Sequence, residues 1–108
     1  MKVFISQPMS GLSLETIKAV REKAKTDIYN FTADIVNNNS DIEFIDNLQE
    51  DKDPETTGNL TYLGYDIQLL ENADCVYFCK GWEKSRGCYI EFTVCKTYDI
   101  PMVFEGEF

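Results

Sequence analysis

The stretch CVYFC, Cys75–Cys79, is apolar at every position and decides the fold class. Strands with a solvent-facing side alternate apolar and polar residues, whereas continuously apolar strands are typical of a parallel sheet covered on both faces. KVFIS, Lys2–Ser6, is a short run with a continuous apolar centre and is followed by a loop that contains Pro8. The segments Ile42–Asp46 and Ile100–Glu105 are predicted to be two further short strands.

Helical periodicity fills the intervals between these segments. After Ser13, the predicted N-cap, apolar residues recur at helical spacing from Leu14 to Ile35. Further helices are predicted over about 59–72 and about 85–98. We therefore expect one α/β domain over residues 1–108, a three-layer sandwich in which helices flank a small, mostly parallel sheet of four to five strands, Rossmann/flavodoxin-like in character.

Composition excludes several classes of protein. The chain has 108 residues, 44% of them hydrophobic, which is incompatible with a disordered protein. Its formal charge of −9 argues against a nucleic acid polymer or an anionic membrane as a partner. The apolar run at the N-terminus is too short for a signal peptide or a membrane span, so we expect a cytoplasmic protein.

The cysteines are expected to be free thiols, because a cytoplasmic location implies a reducing environment. They form no C-x-x-C pair, and the chain has no histidine, so neither a metal site nor a cofactor is predicted. Small buried core residues are the favoured interpretation of Cys75, Cys79, Cys88 and Cys95.

Two acidic residues, Asp66 and Glu91, fall on the predicted inward faces of the last two helices. Asp66 shares its face with Leu60, Leu63, Ile67, Leu69 and Leu70, and Glu91 shares its face with Cys88, Phe92, Val94, Cys95 and Tyr98. An ionised carboxylate is costly to bury without a partner, so this matched placement indicates a function. The alternative is that each acid caps a loop or pairs with Arg21 or Arg86. A pair of carboxylates suits cleavage at an anomeric carbon.

Loops at the carboxyl ends of the strands are expected to surround these acids, because ligands of open α/β sheets collect there. The candidate loops are residues 7–13, 47–59 and 80–87, with the tail after Phe104. The basic run of Lys80, Lys84 and Arg86, with the free N–H groups near Gly87, suits a phosphate, although such runs are also common on solvated surfaces. The first loop is a weaker candidate, in which Gly11 permits close backbone approach.

Three segments in order resemble the nucleoside 2-deoxyribosyltransferase superfamily. They are KVFISQPMSG at residues 2–11, ENADCVYFCKGW at 71–82 after an Asp in a helix, and SRGCYIEFTVCKTYDIPMVF at 85–104. The chain is similar to small members of this superfamily and, beyond them, to 2-deoxynucleoside 5-monophosphate N-glycosidases. The resemblance spans nearly the whole chain, and the order of the three segments carries it.

The resemblance implies roles for particular residues. Glu91, the Glu of G-x-x-x-E counted from Gly87, is the implied nucleophile. Asp66 is implied to hold a sugar hydroxyl or to assist proton transfer to the base, and Ser85 to bind a 5-phosphate. The substrate-binding residues expected in the two loops are Ser6, Gln7, Pro8, Met9, Ser10 and Gly11, together with Ser85, Arg86 and Gly87.

The function expected from this pattern is cleavage of the N-glycosidic bond of a (deoxy)nucleoside or nucleotide, with or without transfer of the deoxyribosyl group. Gln7 stands where many members have Gly, Trp82 is unlike the transferases, and the chain ends soon after the last strand, which weakens the case for base exchange. A homodimer or larger homo-oligomer is implied. Non-catalytic binding of a nucleotide or nucleotide-derived molecule is the alternative, and a purely structural partner protein is a third.

Overall fold

Four parallel strands alternate with three helices in residues 1–36, 42–48 and 59–106, which are those that the computed structural model describes. The strands are β1 (Lys2–Ser6), β2 (Glu43–Phe44), β3 (Cys75–Phe78) and β4 (Met102–Phe104). The helices are α1 (Leu14–Val36), α2 (Asn59–Leu70) and α3 (Arg86–Thr97). The predicted α/β sandwich of Rossmann/flavodoxin-like character is thereby confirmed.

The strand order β2-β1-β3-β4 contains a reversal of chain direction across the sheet. The chain moves outward from β1 to β2, then returns past β1 to pair β3 against its other side, with Val3 opposite Cys75 and Ser6 opposite Phe78. The loops that follow β1 and β3 therefore leave towards different helices. Such a point of reversal opens a crevice at the carboxyl ends of the two central strands, where ligands of this fold class bind.

The core forms two layers, one on each face of the sheet. Alternate strand residues point to opposite faces, as the two-residue period of a strand requires. One layer lies between the sheet and α1 and contains Val3, Ile5, Ala24, Ile28, Tyr77 and Cys79. The other lies between the sheet and the pair α2 and α3 and contains Phe4, Leu70, Val76, Phe78 and Cys95.

Helix α1 begins as the sequence predicts. The Ser13 hydroxyl accepts from the Thr16 N–H at 3.2 Å, which satisfies one of the free donors of the first turn. Ile17, Ala24 and Ile28 are buried, but Leu14, predicted on the same apolar stripe, is 51% exposed because it lies in the first turn.

Two residues predicted to face inward prove to be exposed. Tyr98 follows the last residue of α3 and is 74% exposed, since the helix ends at Thr97 and the chain turns at Asp99 with a φ of 57°. Leu60, in the first turn of α2, is 81% exposed. The helical wheel predicted both wrongly because it extends a helix face beyond the part that covers the sheet.

The segment 80–87 was predicted to be a loop and contains one 3-10 turn, Trp82–Lys84. Trp82 anchors this turn, since its ring centroid lies 4.7 Å from that of Phe92 and 5.2 Å from that of Phe104. Gly81 begins the turn with a φ of 89°, a conformation that glycine adopts without strain. The connection from β3 to α3 is thus held against the core.

Candidate functional site

A cavity of about 1000 Å³ lies at the carboxyl ends of β1 and β3. Its polar lining comes from the loop after β1, the segment after β2, and the starts of α2 and α3. The residues that line it and that the sequence identified are Gln7, Pro8, Met9, Ser10, Asp66, Ser85, Arg86, Gly87 and Glu91. This volume matches the pockets that hold small-molecule ligands.

Glu91 lies in the second turn of α3 and faces the sheet. The helix begins at the Ser85 N-cap, whose hydroxyl accepts from the Cys88 N–H at 3.4 Å. Cys88, Glu91 and Cys95 are the buried residues of this helix, and they share the face that packs on the sheet. Glu91 is only 4% exposed, so its carboxyl has lost nearly all contact with bulk water.

The Glu91 carboxyl contacts one hydroxyl and one acid. The Ser6 hydroxyl donates to Glu91 Oε1 at 2.7 Å, and the carboxyl group of Asp66 is hydrogen-bonded to that of Glu91. Two carboxyls in hydrogen-bond contact must share a proton, because two carboxylates at that distance repel each other. Asp66 itself is half-buried on α2.

Burial raises the pKa of the Glu91 carboxyl from its ordinary 4.5 to about 8. The hydrogen bond from Ser6 lowers this pKa, whereas the charge of Asp66 and the hydrogen bond with Asp66 raise it. No basic side chain among the described residues lies within ion-pair distance of Glu91. The sharing of a proton with Asp66 is therefore what makes the buried acid tolerable, and a pairing of Glu91 with Arg21 or Arg86 is not observed.

Ser6 is almost completely buried at 1% exposure, and its hydroxyl donates a hydrogen bond to Glu91 instead of facing the open cavity. It therefore orients the acid. Gln7 is also buried, with its Nε2 donating to the Ile17 carbonyl at 2.9 Å and its Oε1 accepting from Arg21 at 3.4 Å. The side-chain groups of Gln7 thus hold β1 against α1, and the residue reaches the cavity only as part of its wall.

The rest of the first loop turns across the cavity mouth. Pro8 and Met9 are half-buried, while Ser10 and Gly11 are exposed. The Leu12 N–H donates to the Met9 carbonyl at 3.1 Å, and Gly11 has a φ of 78°, which closes the turn. Gly11 therefore serves the turn, and Pro8, Met9 and Ser10 are the members of this loop that line the cavity beyond Gln7.

The start of α3 forms the basic wall of the cavity. Lys84 and Arg86 are exposed, and Ser85 is half-buried with its hydroxyl oxygen occupied as the N-cap. The hydroxyl hydrogen of Ser85 and the free N–H groups of the first turn are still able to donate to an anion. Lys80, predicted to belong to this wall, is exposed, and its backbone N–H donates to Glu105 at 3.3 Å.

Two buried residues of the cavity wall, Asn47 and Cys88, were given no functional role from the sequence, and Arg21, considered there as a partner of the acids, binds elsewhere. Arg21 on α1 is 5% exposed and donates to the Ile45 carbonyl at 2.7 Å; burial lowers the pKa of its guanidinium. Asn47 is 3% exposed, lines the cavity, and donates to the Ile5 carbonyl at 3.1 Å. Cys88 also lines the cavity, and burial raises the pKa of its thiol. Asn47 is the first residue of the predicted loop 47–59, and its position directly after the predicted strand Ile42–Asp46 was the signal that could have identified it.

The cysteines are free thiols, and Cys79, Cys88 and Cys95 are buried. Within the described ranges there is no group of three or more His, Cys, Asp or Glu side chains placed to hold a metal ion. In the same residues, no helix combines the length and the apolar composition that a membrane crossing requires.

These features define an α/β protein with a hydrogen-bonded acid pair, the buried Glu91 and the half-buried Asp66, at the reversal point of its sheet. Residues 1–104 match the family described as "Domain of unknown function (DUF4406)", and the chain belongs to that family. No curated protein and no solved structure matches the chain.

Proposed function

We propose that this protein cleaves the N-glycosidic bond of a (deoxy)nucleoside or nucleotide, with Glu91 as the nucleophile. The observation that carries the proposal is the hydrogen-bonded pair of Glu91 and Asp66 in a cavity at the carboxyl ends of the central strands. Such a pair supplies one ionised and one protonated carboxyl from the same site, which is the combination that glycosidic cleavage uses. The resemblance to nucleoside 2-deoxyribosyltransferases adds independent support.

The direct contact of the two carboxyls restricts their roles. In retaining hydrolases the two carboxyls lie about 5 Å apart on either side of the sugar, whereas here a hydrogen bond joins them directly. The sugar therefore lies on one side of the pair. Because a leaving base departs from the face opposite the attacking oxygen, Asp66 does not reach it directly. Holding the proton of the pair, and orienting the sugar, are the roles left to Asp66.

The reaction then follows in two steps. With the proton on Asp66, a carboxylate oxygen of Glu91 attacks the anomeric carbon, the bond to the base breaks, and its electron pair leaves on the base nitrogen, which takes a proton from water. Water then attacks the anomeric carbon of the glycosyl ester, and Glu91 leaves as a carboxylate. The proton lost by the attacking water neutralises the hydroxide left by the first step, so the pair again holds one proton. Transfer to a second base in place of water is the corresponding transferase reaction.

The basic wall supports a 5-phosphate on the substrate. Lys84 and Arg86 line the same cavity as the acid pair, in a chain of net charge −9. Donors of the Ser85–Gly87 turn face the cavity from the start of α3, where the helix dipole favours an anion. We include nucleoside 5-monophosphates among the proposed substrates for this reason.

One observation favours a second candidate function, non-catalytic binding of a nucleotide or a nucleotide-derived molecule. A Glu91 carboxyl with a pKa of about 8 is mostly protonated at neutral pH. A protonated carboxyl donates a hydrogen bond to a ligand and does not attack it. A pocket of this kind can retain a nucleotide without converting it.

Incubation with a panel of nucleosides, deoxynucleosides and their 5-monophosphates, followed by chromatography, separates the two candidates. Free base released by the wild type, but not by Glu91→Gln, is the expected result. The matched control is Glu83→Gln, which makes the same chemical change on the exposed 3-10 turn and should retain activity. Full activity of Glu91→Gln would overturn the assignment, and retention of intact ligand by the wild type would support the binding function.

The cytoplasmic location and the homodimeric or larger assembly are part of the same proposal. Sedimentation of the purified protein tests the assembly directly. A monomer that retains full activity would show that no second chain is needed to complete the site.

A further inference from the structure

Asn47 carries an acceptor whose partner is absent from the described part of the chain. It follows β2 at the carboxyl edge of the sheet and is 3% exposed. Its Nδ2 donates to the Ile5 carbonyl at 3.1 Å, and its Oδ1 is buried without a hydrogen-bond donor. The orientation of the amide is settled by chemistry, because a backbone carbonyl only accepts and must therefore face the nitrogen. Oδ1 is consequently the unsatisfied atom.

An unsatisfied buried amide oxygen costs free energy, so it requires an explanation. Gln7, a second buried amide directly after the neighbouring strand β1, provides the comparison. Both of its polar atoms have partners, the Ile17 carbonyl and the Arg21 guanidinium. The absence of a donor at Asn47 is thus a local feature and not a general property of the amides in this region.

Asn47 is also close to the proposed reaction centre. Its side chain donates to the carbonyl of Ile5, the residue directly before Ser6, and the Ser6 hydroxyl donates to Glu91. Adjacent strands of a sheet lie about 4.8 Å apart, so the end of β2 is within the length of one nucleoside from the end of β1. The basic wall at Lys84 lies on the other side, after β3.

The cavity near this end suits a flat heterocycle. Asn47 lines it together with apolar and aromatic side chains, which give area for stacking. Ile17, Leu48, Tyr62 and Leu63 are among these lining residues. A ligand that presents a hydrogen-bond donor on an aromatic ring meets both features at once.

We infer that Asn47 Oδ1 accepts a hydrogen bond from the exocyclic amino group of a nucleobase and makes the site selective for aminated bases. The inference rests on the proposed function for the position of the sugar, but it concerns binding. Because Oδ1 is closed to water in the unliganded chain, the base must part the side chains that cover it. A base without the amino group leaves the acceptor unpaired, and this is the origin of the selectivity.

Ligand pairs that differ by one amino group test the inference. Binding of 2-deoxyadenosine and of purine 2-deoxyriboside is measured by calorimetry with the wild type and with Glu91→Gln, which removes the nucleophile and keeps the side-chain shape. Deoxycytidine and its 4-deamino analogue form a second pair. We expect the amino compound of at least one pair to bind roughly tenfold tighter. In Asn47→Leu, checked for folding by circular dichroism, we expect the two members of that pair to bind equally.

Three outcomes would overturn the inference. Equal binding within both pairs to protein that retains Asn47 would show that Oδ1 does not contact an amino group. An equal loss for both members of a pair in folded Asn47→Leu would place the contact on the sugar. Absence of binding by all four compounds would remove the nucleobase subsite. If amino selectivity is found while no base is released, only the proposed cleavage is refuted.

Discussion

Replacing Glu91 by Gln should stabilise the protein at neutral and alkaline pH. The amide keeps the shape of the carboxyl, its oxygen can accept from Ser6, and its nitrogen can donate to Asp66 in place of the shared proton. The wild type must instead hold a buried acid whose ionisation is opposed by burial and by Asp66. The substitution therefore imitates the protonated form of Glu91 at every pH.

The sign and size of the effect follow from the pKa of Glu91. In the unfolded chain the carboxyl ionises near 4.5, and in the folded chain near 8. Between these values the folded state holds a proton that the unfolded state has lost, so stability falls as pH rises. At about 1.4 kcal/mol per pH unit, the loss is on the order of 5 kcal/mol once the pH exceeds 8. Below 4.5 both states are protonated and the penalty is absent.

Urea unfolding of wild type and Glu91→Gln at a series of pH values from 5 to 9 measures this effect. The difference in unfolding free energy should be small at pH 5, grow with pH, and level off above pH 8. Glu83→Gln is the control, because it makes the same chemical change at an exposed position. Parallel curves for wild type and Glu91→Gln would refute the raised pKa and, with it, the buried acid pair.

Four further predictions concern the acid pair, the turn at Gly81 and helix α2. Ser6→Ala removes a hydrogen bond that lowers the pKa of Glu91, so the rise of base release with pH should move to higher pH in a pH–rate profile. Asp66→Asn removes a neighbouring charge that raises the pKa of Glu91, so it should lower the rate and move the rise of base release to lower pH. If both variants had the pH–rate profile of the wild type, the pairing of Glu91 with Ser6 and Asp66 would be contradicted. Gly81→Ala should lower the free energy of unfolding in urea by about 1–2 kcal/mol, because a φ of 89° is strained for any residue with a side chain. Gly64→Ala should raise it by about 0.5–1 kcal/mol, because Gly64 lies in a helix with open space around its Cα.

The stability gained by Glu91→Gln and the activity lost by it would have one cause. A carboxyl that is costly to ionise is also one whose charge is poorly solvated and available to attack. Strained or unsatisfied groups at functional sites are commonly maintained by the stability of the surrounding fold. In this protein the buried carboxyl of Glu91 and the unpaired oxygen of Asn47 both lie near the carboxyl ends of strands in a sheet that is well packed on both faces.

Local pattern was sufficient for the architecture. A parallel sheet covered by helices was predictable from the apolar runs within Lys2–Ser6 and Cys75–Phe78 and from the helical spacing between them. A strand buried on both faces has consecutive apolar residues, whereas a strand buried on one face alternates apolar and polar residues. Asp66 and Glu91 were identifiable for the same reason, as acids on predicted apolar faces. The pattern failed at Leu60 and Tyr98, where helix ends extend beyond the sheet they cover.

The contacts that give the site its chemistry join residues far apart in the chain. Ser6 and Glu91 are separated by 85 positions and Ile5 and Asn47 by 42, and no periodicity within a segment reports on such pairs. The sharing of a proton between Asp66 and Glu91, the orienting role of Ser6 and the unpaired acceptor of Asn47 depend on distances of a few ångström between separate elements. Packing of the assembled sheet and helices sets those distances, which is why composition and spacing could not foretell them.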